Sequence, residues 1–157
     1  MLRRNIPGHT YALLAGLLLL SIGCTQKSDK WTDGRPPVYP SSGQILLDGE
    51  PIAEATVTFQ PVDPTGRGGS AITDSSGYFD AQTFEPGDGL TEGMHNVSIR
   101  KIQMVDRNGN VVEEIREPGS VVEKNLVPDK YSKFDKSGLQ VTISIGKNDL
   151  GKIELSK

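Results

Sequence analysis

The sequence predicts an all-β domain over residues 42–157, a single antiparallel β-sandwich of about seven to eight strands. Three observations carry this. Apolar and polar residues alternate at period two in several stretches, turn-forming residues recur about every 8–12 positions, and helical patterning is nearly absent.

The first strand is predicted at 43–47, ending where Asp48-Gly49 offers a tight turn. Over 55–61, Ala55, Val57 and Phe59 alternate with Thr56, Thr58 and Gln60, one set for a core and one for water. Strands at 69–73 and 78–83 flank the turn Asp74-Ser75-Ser76-Gly77. A long strand over 94–105 changes parity between Val97-Ile99 and Ile102-Met104, which predicts a bulge or bend near Arg100-Lys101. Asn108-Gly109 then predicts a hairpin into a strand at 111–116. The stretch 117–138 reads as irregular, tied down by Leu126, Tyr131 and Phe134. Leu139, Val141, Ile143 and Ile145 give another alternating strand, 139–145. A turn at Lys147-Asn148-Asp149 leads to the last, 152–156.

Ahead of the domain, Arg3 and Arg4 precede an apolar run from Tyr11 to Leu20, closed by Ser21-Ile22-Gly23-Cys24. The run suits a signal h-region better than a membrane span, which needs about 20 apolar residues. The closing residues resemble a bacterial lipobox, although Ser21 stands where leucine is usual and Leu20 lies one place further out. The resemblance implies a lipoprotein signal peptide over 1–23 and lipidation of Cys24; an ordinary secretory signal or a retained anchor is the alternative. Cys24 is the one cysteine of the chain, so no internal disulfide is available. Acyl chains on its sulfur and amine would give the two or more lipid signals that stable anchoring takes. Residues 24–41 then read as the lipidated Cys and a flexible linker, polar and proline-bearing, averaging about 20–25 Å end to end as a loose coil. Its aromatics, Trp31 and Tyr39, are expected to rest on the membrane interface or the domain.

Acidic residues number 20 against 17 basic, and Arg3 and Arg4 leave with the signal. No basic cluster remains to neutralise phosphates, so nucleic acid is not an expected partner.

The order of turn signatures resembles a known family. Gly43 to Phe59, with Asp48-Gly49 inside it, resembles the opening hairpin of carboxypeptidase regulatory-like domains, and Thr73-Asp74-Ser75-Ser76-Gly77-Tyr78-Phe79 their second turn. The layout is similar to short bacterial lipoproteins that carry this one domain. There the matching features are Gly66-Arg67, Phe84 to Gly89, Gly93, Val127-Pro128-Asp129-Lys130-Tyr131 and Ser137-Gly138-Leu139, the last opening a final hairpin. The resemblance implies a transthyretin-like sandwich with no catalytic residues, accessory or structural in the cell envelope. The isopeptide-locked collagen-adhesin relatives would need a lysine on the first strand, and 43–47 has none.

Candidate chemistry is sparse. His95 with Ser98 hints at nucleophilic catalysis, but the pattern turns their side chains to opposite faces, and no orienting group or oxyanion site accompanies them. A single histidine after the signal, without a thiolate, argues against zinc. Asp106 to Asn110 with Glu117 echoes a calcium loop, yet its sixth position is Val111 rather than glycine, and a hairpin explains Asn108-Gly109. Gly66-Arg67-Gly68-Gly69-Ser70 lacks the helix a phosphate loop needs. Glu85 to Glu92 reads as a solvated turn. The expectation is therefore a non-enzymatic chain without cofactor or metal, anchored to the membrane through Cys24. Its expected contacts are other envelope proteins or glycans. A sugar- or peptide-binding module, with Tyr78, Tyr131 and Phe134 as its aromatics, is one alternative; an accessory domain of an envelope peptidase is the other.

Overall fold

Alternating side chains give each strand an apolar and a polar face, and the apolar faces here close on one another from two sheets. The computed structural model describes residues 33–114 and 119–157, and Pro36–Lys157 form one folded unit. The signal peptide, Cys24 and Trp31 lie outside the described residues, as does Glu117.

The strands are β1 (Val38–Tyr39), β2 (Ser41–Leu47), β3 (Glu50–Pro51), β4 (Thr56–Pro61), β5 (Gly69–Ile72), β6 (Tyr78–Asp80), β7 (Leu90–Thr91), β8 (Gly93–Arg100), β9 (Ile102–Asp106), β10 (Val121–Asn125), β11 (Leu139–Ile143) and β12 (Asn148–Leu155). One four-stranded sheet runs β11-β8-β4-β5. In the other, β2 pairs β12 on one edge and β3 and β6 on the other. The all-β sandwich predicted from the alternation is thus the observed architecture. Pairing begins at Val38, within the last residues assigned to the linker, because β1 lies against β7.

Phe59, Val57, Val97, Ile99 and Ile143 of the first sheet meet Ile45, Phe79 and Leu155 of the second, all at most 1% exposed. Phe59 and Phe79 touch across the layers at 5.8 Å between ring centroids. Ser70 and Gln82 form an antiparallel bridge, so the two sheets meet in a seam where the chain passes from β5 to β6. Tyr131, buried in a 3₁₀ turn over Asp129–Ser132, accepts a 3.0 Å bond from the Ser156 N–H and ties that turn to the end of β12. The Ser156 hydroxyl foremost, and that backbone N–H after it, hold the Tyr131 phenol below its usual range, because donors on its oxygen favour the ionised form.

Several sequence expectations are corrected. β12 runs parallel to β2 and is the exception among otherwise antiparallel pairs of the described residues. The last two strands therefore form no hairpin: Gly146 (φ 106°) turns the chain across to the second sheet. The turn itself falls at 144–147, not at Lys147-Asn148-Asp149. Asn148 already belongs to β12, where its amide accepts from Ser144 N–H and donates to the Ser144 and Gly146 carbonyls. Ile145 consequently leaves the alternating face and is 74% exposed. Of the strand expected at 111–116, the described residues 111–114 form one bridge, Val105 to Val111, and 115 and 116 lie outside the described residues. β9 instead takes as its main partner 121–125, inside the stretch read as irregular. That stretch also holds a short helix, α1 (Phe134–Ser137). The parity change at Arg100-Lys101 is a real break: Lys101 separates β8 from β9, donating its N–H to Asn125 Oδ1 and accepting from Leu126 N–H.

Candidate functional site

His95 is wholly buried on β8. Its Nε2 lies 2.8 Å from the Thr91 carbonyl, which can only accept, so Nε2 carries the hydrogen. Nδ1 has no hydrogen-bond partner among the described residues. Ser98 is also buried, but three residues along the strand it faces away from His95, and the two form no dyad.

The loops are accounted for by their own carboxylates. Asp106 Oδ1 accepts from Asn108 and Asn110 N–H, each at 2.8 Å, and Oδ2 from the Asn110 side chain at 3.0 Å. That set closes a hairpin. Among the described residues no group of three His, Cys, Asp or Glu side chains comes together to hold a metal. Asp63 accepts from both N–H and hydroxyl of Thr65, which shapes the Gly66 loop, and Gly69-Ser70 pass directly into β5 rather than a helix. Asp88 organises the acidic loop by accepting from the N–H groups of Thr83, Phe84 and Glu85. Gly89 in that loop has φ 100°, and a Cβ there would run into the Tyr39 carbonyl; only glycine lets the loop lie on the entering strand.

What the sequence did not reveal is the surface assembled by strand register. On the outward face of the β11-β8-β4-β5 sheet, Gln60 stands opposite Asn96, and Asn96 opposite Gln140. The next row is Ser70, Thr58 and the buried Ser98; the row beyond holds Ile72, Thr56 and Arg100. In these three rows Arg100 is the one charged side chain. Such a face offers neutral donors and acceptors in close array, since each amide carries both. Gln140 Nε2 donates to Asn96 Oδ1 at 2.9 Å, so the amide row is itself a ladder.

Hollows flank the face. One, about 720 Å³, lies between the amide row and the segment Lys133-Phe134-Asp135, with half-buried Phe134 in its wall. The other, about 540 Å³, opens at the seam beside Thr56, Ser70 and Ile72, where Tyr78 is 40% exposed and donates its hydroxyl to Asp80 at 3.1 Å. Of the three aromatics expected to recognise a ligand, Tyr78 and Phe134 thus border the face. Tyr131 is buried in the core instead, with its hydroxyl accepting from the Ser156 N–H. No helix of the described residues is long and apolar enough to cross a membrane.

No family model matches the chain, and neither does any curated protein. Among solved structures the chain is similar to part of a 9R-lipoxygenase from Cyanothece PCC8801, at 12% identity and a TM-score of 0.38. The match covers 83% of this chain but 18% of that one. A likeness of that degree carries no argument about what the chain does.

Proposed function

We propose that this chain is a non-catalytic lipoprotein of the bacterial cell envelope, held to the membrane by lipid on Cys24, whose β-sandwich acts by contact with other envelope components. The signal-like N-terminus, the lipobox and the resemblance to carboxypeptidase regulatory-like domains support the anchor and the accessory role. One structural observation supports contact as the mode of action. The broad outward face built on Gln60, Asn96 and Gln140 is free of carboxylates, in a chain with 20 of them. Elsewhere exposed strand positions carry charge freely, as Lys152 and Glu154 do on β12.

The same face favours a second reading, a module for neutral glycans or extended peptides. Paired amides reach neighbouring hydroxyls or backbone groups, and Tyr78 and Phe134 supply apolar planes at its borders. Three measurements test these readings. Intact mass of the detergent-extracted protein is expected to show an N-terminus at Cys24 with acyl mass, both lost in Cys24→Ala; an unmodified chain cut elsewhere overturns the anchor. On a glycan and peptide array, a ligand of the face is expected to lose at least about tenfold in binding when Gln60, Asn96 and Gln140 are all changed to Ala. Saturable turnover of a substrate by the domain overturns the non-catalytic reading.

A further inference from the structure

One end of the sandwich carries exposed apolar side chains where the chain enters the fold. β1 pairs β7 there, and Asn148 N–H donates to the Pro40 carbonyl, which seats the β11–β12 loop beside the entering segment. Ile145 in that loop is 74% exposed. At the same end of the first sheet, Val62 N–H donates to the Met94 carbonyl, and Met94 pairs with Thr142. Val62 is 53% and Met94 46% exposed. Three large apolar side chains standing in water at one end need a reason that a lone exposed residue would not.

The length of chain before Val38 supplies one. From Cys24 to Val38 the backbone can reach at most about 50 Å whatever its conformation. A lipid on Cys24 therefore keeps the entering end of the domain near the bilayer, while the opposite end, where Ile72 pairs with Thr56, points away along the strands. We propose that the end bearing Ile145, Val62 and Met94 rests on the lipid surface, which puts the amide row one row above the contact, on the face that Val62 and Met94 share. This rests on the anchor proposed above. The rim charges are mixed, with exposed Lys147 and Arg67 set against exposed Asp63 and Glu92, so the contact is apolar and does not require anionic lipid.

The full lipidated chain offers a clean test, because acylation blocks its native thiol. Ile145→Cys and Ile72→Cys place a single label at equally exposed positions, 74% and 71%, at opposite ends. Each is labelled with a polarity-sensitive fluorophore and reconstituted in phosphatidylcholine vesicles containing spin-labelled lipid. The expected result is a blue-shifted label at 145, quenched at least about twofold more than the label at 72. Equal quenching in protein that floats with the vesicles overturns the orientation and leaves the anchor standing. A blue shift at 145 without lipid quenching overturns it in favour of a protein partner. Wild-type chain that floats no better than Cys24→Ala overturns the anchor, and the orientation with it.

Discussion

Asp74 illustrates how single residues set the loops. Its Oδ1 accepts from the Ser76 hydroxyl at 2.7 Å, the Ser76 N–H at 2.8 Å and the Tyr78 N–H at 3.0 Å. The Ser76 hydroxyl foremost, with those backbone groups, holds the carboxyl below its ordinary range. Asp63 and Asp106 are lowered in the same way, by the Thr65 backbone and by the Asn110 side chain respectively. A carboxyl lowered on folding contributes stability that is full above its unfolded pKa, about 3.9, and is lost as pH falls through the lower folded value. The urea midpoint should therefore decline below about pH 4. Asp74→Asn, which keeps an acceptor oxygen but does not titrate, should show a shallower decline; an unchanged slope removes Asp74 from the account. Glycines divide by surroundings. Gly89→Ala meets both positive φ and the Tyr39 carbonyl, and should lower stability by about 2 kcal/mol or more. Gly109→Ala meets strain alone, with nothing within 4 Å of the new Cβ, and should cost roughly 1 kcal/mol in the same urea titration.

Among the elements, the β9–β10 arm stands apart. Val105 is its one buried hydrophobic side chain, while Ile102 and Val122 are exposed, so few apolar contacts oppose its opening. Its backbone hydrogen bonds should open independently of the core. Amide exchange in β9 and β10 is expected to be at least about tenfold faster than in β2 and β8, and equal protection would make the arm part of the cooperative core. The sequence showed the arm's origin, the parity break at Lys101, because a bulge disturbs a local pattern. It hid the arm's partner: Val121-Val122-Glu123-Lys124-Asn125 has no alternation, since neither face of that strand is consistently buried.

Over the whole molecule, the two sheets act as a scaffold that brings distant segments onto one surface. Asn96 and Gln140 are 44 positions apart, yet share a hydrogen bond in the amide row. The row depends on the registers of β4, β8 and β11 together, and a slip of one residue in any of them would turn its amide into the core. Val62 and Met94 stand on the same face one row from Gln60 and Asn96, so a domain standing on that end would hold the amide row close above the lipid.

By itself the sequence determined the all-β class, the core set Ala55, Val57 and Phe59, and the turns at Asp48-Gly49, Asp74 to Gly77 and Asn108-Gly109. These rest on short-range causes: alternation imposed by the pleat, and the positive φ that glycine, and aspartate at Asp48, can adopt. The tertiary structure alone decided the parallel crossing of β12, the arm's pairing with 121–125, and the assembly of Gln60, Asn96 and Gln140 into one row. Each of these is a choice of partner between remote segments, made by which register buries the most apolar surface, and local sequence carries little trace of that competition.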